Sequence, residues 1–237
     1  MELKIIFDKD SVNMKFSTGW GFSCLVGKHI LFDTGEKAEY LFNNLIGMDI
    51  DTADIKTVVI SHHHWDHTNG LWELLKKKSG IKVYACPNFS SEFKDKVREF
   101  QGKLIETEKF TKLSDNVFVT GEIAGNYKDS YIAEQALVVE NKDDIIVITG
   151  CSHPGILRIM EKVNEKFPKK RIKLVFGGFH LMDKDKREVN IIAEKLKNMG
   201  VEKVGPTHCT GYDAQMIFKE YYGRKFISVK VGQIYNV

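Results

Sequence analysis

Ser61-His62-His63-His64-Trp65-Asp66-His67 is the stretch on which the reading of this chain turns. It contains His-x-His-x-Asp-His. In an extended segment leaving a strand, residues two apart project to the same side, so His62 and His64 converge on one cation while His63 points away. Asp66 and His67 add a carboxylate oxygen and an imidazole on another vector, which one tetrahedral ion cannot readily use alongside the first pair. Two divalent ions are therefore expected. A surface histidine cluster or a tag remnant is the competing explanation, but tags sit at termini and lack the Trp and the Asp.

Working outward, Val58-Val59-Ile60-Ser61 reads as the strand that delivers the motif, and Thr68-Asn69-Gly70-Leu71 as the turn into the next helix. Upstream lies Ile30-Leu31-Phe32-Asp33-Thr34-Gly35, a strand followed by Asp-x-Gly. With the histidine motif, it resembles the signature of the metallo-β-lactamase superfamily. Three downstream segments, Thr149 to Gly155, Gly177 to Leu181 and Pro206 to Gly211, resemble a narrower branch. Its members are similar to 7,8-dihydropterin-6-methyl-4-(β-D-ribofuranosyl)aminobenzene-5′-phosphate synthase. The match runs in order from about Ile30 to the C-terminus. It implies an α/β protein of αββα-sandwich type, with a metal site at one edge of the two sheets.

The resemblance also implies a ligand set. His208 corresponds to the last superfamily ligand and joins Asp66 and His67 around one ion, while His153 partners His62 and His64 around the other. Many superfamily members carry a bridging Asp where this chain has Cys151. A thiolate there can bridge or bind one ion, water alone can bridge, or His153 reaches in because Cys151 does not. His180, in Gly-Gly-Phe-His-Leu, is expected to touch substrate, since paired glycines let backbone approach a ligand closely. Asp33-Thr34-Gly35 also matches the aspartic-protease triplet, but one copy leaves the histidines unexplained. Asp33 is instead expected to hydrogen-bond the groups around the metal motif. His29, which precedes a strand, is read as a packing or surface residue.

Bulk properties fit a single domain over residues 1–237 with a large core. Of 237 residues, 43% are hydrophobic, a length at which single α/β domains are common. Lys+Arg of 35 against Asp+Glu of 32 leaves a net charge of +3, too small to argue for a nucleic-acid or membrane partner. The N-terminus lacks a charged-then-apolar signal segment, and no apolar run approaches the roughly 20 residues that span a bilayer, so the expected location is cytoplasmic. The four cysteines form no Cys-x-x-Cys pair and no disulfide framework is expected. Cys24 and Cys86 sit in apolar strands and read as core; Cys151 and Cys209 adjoin motif histidines, where metal-site and packing roles both stand.

Strands alternate with helices along the chain. One helix begins with Pro154 in its first turn and carries Ile156, Met160, Val163 and Phe167; another, near Lys186–Met199, is closed by Gly200. A last helix carries Ala214, Ile217, Phe218 and Tyr221, and Lys225–Val231 reads as the final strand. Asn88 to Asp115 breaks into neither clean helix nor clean strand and reads as an irregular insertion, around 88–115, either a lid that covers the site or a plain flexible loop. The basic runs Lys76-Lys77-Lys78 and Lys169-Lys170-Arg171 read as solvated helix ends.

Paired cations with open positions make hydrolysis the default chemistry. Water held by such ions loses a proton near neutral pH and gives a hydroxide nucleophile, and Asp66 is the residue expected to position it. The leading expectation is a dinuclear hydrolase of a phosphorylated or anionic small molecule. The branch resemblance implies an alternative, a pterin-linked transfer in which metals assist a phosphorylated leaving group. A di-iron redox protein is a third class, disfavoured because the usual carboxylate in place of His64 is absent. Zinc is the first choice for so histidine-rich a site, with Mn or Fe satisfying the same donors.

Overall fold

A computed structural model describes residues 1–236. The chain divides into two compact units, one of residues 1–108 with the C-terminal stretch from Lys230, the other of Lys109–Val229. The first unit holds β1 (Glu2–Phe7), β2 (Ser23–Val26), β3 (Ile30–Phe32), α1 (Ala38–Gly47), β4 (Thr57–Val59), α2 (Trp65–Lys77), β5 (Lys82–Ala85), α3 (Ser91–Glu99) and β6 (Lys103–Glu106). Among the described residues its sheet has seven strands, in the order C-terminal strand Ile234–Asn236, β1, β2, β3, β4, β5, β6. Pairing is parallel from β3 to β6 and antiparallel elsewhere. All residues of β2 and β3 are buried, the signature of strands covered on both faces.

The second unit holds β7 (Thr111–Ser114), β8 (Val117–Val119), β9 (Ile123–Tyr127), β10 (Ser130–Glu134), β11 (Leu137–Glu140), β12 (Asp144–Thr149), α4 (Ile156–Lys166), β13 (Arg171–Gly178), α5 (Lys186–Asn198), β14 (Lys203–Thr207) and α6 (Tyr212–Tyr222). Its main sheet runs β14, β13, β12, β11, β8, β7, with β12, β13 and β14 parallel; β9 and β10 form a separate ribbon. Val138, Val147, Val175 and Val204 stand in register across β11 to β14. That valine row shares one buried cluster with Met160 and Val163 of α4, Val189 and Ala193 of α5, and Phe218 of α6. Full burial of each such side chain contributes about 1.5–3 kcal/mol. Two sheets and their helices thus match the expected α/β class.

Four local expectations are corrected. Thr68-Asn69-Gly70-Leu71 is not a turn: the helix starts at Trp65 and runs through it. Gly70 is there because a Cβ would stand 2.3 Å from the carbonyl oxygen of Thr34, so the glycine marks close approach. The segment from Asn88 to Asp115 is regular. Ser90 caps α3 by accepting the Phe93 N–H, Phe93 and Val97 bury its apolar face, and β6 extends the sheet. Pro154 precedes α4, whose N-cap is Gly155. Lys225–Val231 is no strand, because its backbone bonds are made singly, Ile227 N–H to Val204 and Val231 N–H to Asp10, and no ladder builds.

The basic runs are also better anchored than solvated helix ends. Lys76 and Lys77 lie over the rings of Phe100 and Phe42, and Lys170 pairs with Glu140. Among the described residues there is no disulfide and no helix long and apolar enough to cross a membrane.

Candidate metal centre

Every candidate ligand follows the carboxyl end of a strand, where open α/β sheets bind ligands. In the first unit, Asp33 leaves β3 and the histidine motif leaves β4. Asp33 is fully buried, with φ at 54°. Its Oδ1 accepts the Ser61 N–H at 2.7 Å, and its Oδ2 accepts the Ser61 hydroxyl at 2.7 Å and the His67 Nδ1–H at 2.7 Å. With the serine hydrogen aimed at the carboxylate, Ser61 Oγ accepts from His62 Nδ1 at 2.9 Å. One carboxylate therefore sets the tautomers of both His62 and His67, leaving each Nε2 as the nitrogen that could ligate a metal. These contacts consume the Asp33 carboxylate, which removes the protease reading.

The donor atoms then meet in two pairs. His62 Nε2 lies 3.1 Å from His64 Nδ1, and His67 Nε2 lies 3.3 Å from Asp66 Oδ2. Two ligands held at about 2.0–2.1 Å on one tetrahedral ion stand roughly 3.3 Å apart, so both pairs fit the edge of a coordination shell. His63 turns away as expected, with Nδ1 3.1 Å from Ser90 Oγ and its ring against Phe89 and Phe93. Asp66 and His67 occupy the first turn of α2, where a carboxylate complements the helix dipole. Thr34 locks that turn by donating its hydroxyl to the His67 carbonyl at 2.8 Å. Burial pushes the Asp33 carboxyl up. Burial also opposes charge on His67, but the Asp33 and Asp66 carboxylates hold that imidazole well above its ordinary value.

In the second unit, Cys151 and His153 follow β12, His180 follows β13 and His208 follows β14. The organiser here is Glu134 at the end of β10, a residue the sequence reading missed. Its carboxylate accepts the backbone N–H of Cys151 at 3.0 Å, of Ser152 at 2.6 Å and of His153 at 2.7 Å, and His153 Nδ1–H at 2.8 Å. Burial pushes Glu134 up, yet the His153 side chain and the Ser152 and His153 backbone amides hold it at about 2. His153 thereby keeps Nε2 as the nitrogen that could ligate a metal. Gly125 of β9 lets the ribbon reach this loop, since a Cβ there would stand 2.9 Å from the His153 carbonyl carbon.

His180 sits with its ring centroid 4.5 Å from that of His153, and Tyr127 lies edge-on to both. Its Nδ1 is buried with no hydrogen-bond partner among the described residues. A hydrogen bond to Cys209 raises the His180 imidazole against the opposing effect of burial. Burial disfavours the Cys209 thiolate, but Cys151, His208 and His180 together hold that thiol well below its ordinary range. Cys151, His153 and His180 bring one donor atom each within 4.8 Å of one another, and so do Cys151, His208 and Cys209. Both motif cysteines thus lie among the donors, while Cys24 and Cys86 are core residues and His29 is exposed. A cavity of about 460 Å³ opens beside this cluster, lined in part by Tyr127, Lys128, His153, His180 and Lys184.

Comparison with known proteins gives the family. The profile described as the metallo-beta-lactamase superfamily matches residues 23–208. A 7,8-dihydropterin-6-methyl-4-(beta-D-ribofuranosyl)-aminobenzene-5'-phosphate synthase of Methanocaldococcus jannaschii is 29% identical, over 88% of this chain and 84% of its own. An uncharacterised protein of the same organism is 27% identical over 99% of this chain and 100% of its own. Among solved structures, a metal-dependent hydrolase of the beta-lactamase superfamily matches with TM-score 0.84 and 32% identity, covering 100% of this chain and 99% of the other.

Proposed function

This chain belongs to the metallo-beta-lactamase superfamily, and on that premise we propose that it is a cytoplasmic dinuclear metal-dependent hydrolase of a phosphorylated or otherwise anionic small molecule. His62 and His64, with His153, would hold one ion; Asp66 and His67, with His208, would hold the other. Zinc suits this donor set first, and Mn or Fe fit the same nitrogen and oxygen atoms. Such ions lower the pKa of water and neutralise charge on the attacked oxygen.

The chain's own residues do the positioning. Asp33 and Glu134 fix which nitrogen His62, His67 and His153 present, Asp66 would orient the attacking water, and His180 would contact the anionic group of the substrate. The 460 Å³ cavity beside His153 and His180, with the Lys128 ammonium over the Tyr127 ring, suits a small substrate with a planar part and a negative charge. The observation that carries this reading is the pair of donor contacts in the first unit, at 3.1 and 3.3 Å, tied to one carboxylate.

The test is metal analysis of protein purified without added metal, then a panel of phosphomonoester, phosphodiester, lactone, thioester and pterin substrates with that metal restored. We expect close to two equivalents, turnover of a phosphoester, and Asp66→Asn folded but depressed in turnover by about 10²-fold or more. A firm stoichiometry of one, or near-normal turnover of metal-saturated Asp66→Asn, would refute it. The pterin-linked transfer is a second reading, favoured by the synthase that aligns over 88% of the chain; turnover confined to the pterin substrates would select it.

A further inference from the structure

The second unit has a larger cavity, of about 920 Å³, at the other ends of its strands. It opens where β13 and β14 begin and where α4, α5 and α6 finish, so it shares no residue with the donor cluster. Its floor is apolar: Ile172, Val201 and Tyr222 are 3%, 4% and 7% exposed, and Met199 lies beside them. Its rim carries the exposed cations Arg224 and Lys225.

Two features are unexplained by the fold. The Tyr222 hydroxyl is buried with no hydrogen-bond partner among the described residues, although the ring packs against Phe218. A buried hydroxyl without a partner is costly and rare, and this one belongs to a side chain that lines the cavity. Cations near helix ends ordinarily complement the dipole, and Lys197 does so by donating to the Tyr221 carbonyl at 3.0 Å. Arg224 and Lys225 have no side-chain partner of this kind among the described residues.

We propose that this cavity is a second binding site for a small anion with an apolar body. The body would lie against Met199, Val201 and Tyr222, an acceptor on it would take the Tyr222 hydroxyl hydrogen, and its negative group would face Arg224 and Lys225. A cavity of this volume with an apolar floor and a rim that is cationic apart from Glu202, with Lys170, Arg171 and Lys197 also lining it, has the form of a site for an amphipathic anion. The site is independent of the metal centre and of the reaction proposed there.

The fluorescent anion 1-anilinonaphthalene-8-sulfonate has this chemistry and serves as the probe, titrated into the metal-loaded protein. We expect one saturable site. Tyr222→Phe should weaken it about fivefold, the worth of one net hydrogen bond, without lowering Tm, since it removes an unsatisfied group. The double variant Arg224→Glu, Lys225→Glu should weaken it tenfold or more, and His180→Ala should leave it unchanged. Unchanged dye affinity in both cavity variants would overturn the proposal, as would loss of binding in His180→Ala. Displacement of the dye by inorganic phosphate alone at millimolar concentration would reduce the site to a simple cationic patch and overturn it equally.

Discussion

Glu134→Gln is the most informative single change in this protein. Glu134 is fully buried and its two oxygens accept four donors, three of them backbone amides of the loop that carries Cys151 and His153. An amide keeps one accepting oxygen and replaces the other by a donor, which then faces donors. Against an ordinary value of 4.5, the Glu134 carboxyl at about 2 represents about 3 kcal/mol of stability at neutral pH. Loss of charge-assisted bonds with their partners left buried gives a figure of the same order, about 3 kcal/mol. Because the folded value is depressed, this stability is present above about pH 4.5 and is lost as pH falls towards 2. The assay is urea unfolding of wild type and variant from pH 7 to pH 3. The variant should be about 3 kcal/mol less stable at pH 7, and the difference should shrink as the pH drops below 4.5. His153 can relieve the clash by moving its proton to Nε2, so the variant should also bind metal 10–100-fold more weakly. Equal stability at pH 7, or a difference that stays constant down to pH 3, would refute the account.

Three further outcomes follow from the site. His63→Ala should keep metal and turnover, with a small loss of stability from the Phe89 and Phe93 contacts, whereas His62→Ala and His64→Ala should each lose about one equivalent; equal loss in all three would show that the motif geometry is wrong. His180→Ala should raise KM about tenfold or more at unchanged metal content, measured on the best substrate of the panel; loss of an equivalent would make His180 a ligand instead. Cys151→Ser should bind cobalt almost normally if His153 completes the first site, and a thiolate-to-cobalt charge-transfer band in wild type that vanishes in the variant would show that Cys151 is a ligand.

Local sequence carried much of this site because the histidine motif is contiguous and its geometry depends on a strand end and one helical turn. The separation of His63 from its neighbours needs only the alternation of an extended chain. Asp33 was legible as a hydrogen-bonding residue, though not as the group that sets two tautomers. Glu134 was not legible. Its function depends on a ribbon whose turn, Lys128 and Asp129, takes positive φ without a glycine to announce it. The one local trace is Glu134-Gln135, polar and fully buried between Ala133 and Ala136, a placement that demands partners the sequence does not identify. Gly70 misled for the converse reason, since a glycine chosen for close approach looks like one chosen for a turn. Asn88 to Asp115 looked irregular because α3 shows only Phe93 and Val97 as buried apolar positions, and because both faces of β6 are partly exposed.

The same backbone device recurs at the strand ends of both units. Asp33, Ser152, His180 and His208 have φ of 54°, 66°, 52° and 51°, and each follows within three residues of the end of β3, β12, β13 or β14. Residues other than glycine in this region cost on the order of 1–3 kcal/mol each and persist only where their surroundings hold them. Here those holds are visible: three bonds fix the Asp33 carboxylate, and Ser152 gives its N–H to Glu134 and its hydroxyl to the Gly178 carbonyl. A left-handed residue reverses the chain within a single peptide, so the side chain stays over the end of its own strand. Its position then depends on the sheet. A slip in the register of β13 would therefore carry His180 away from His153 and Cys209.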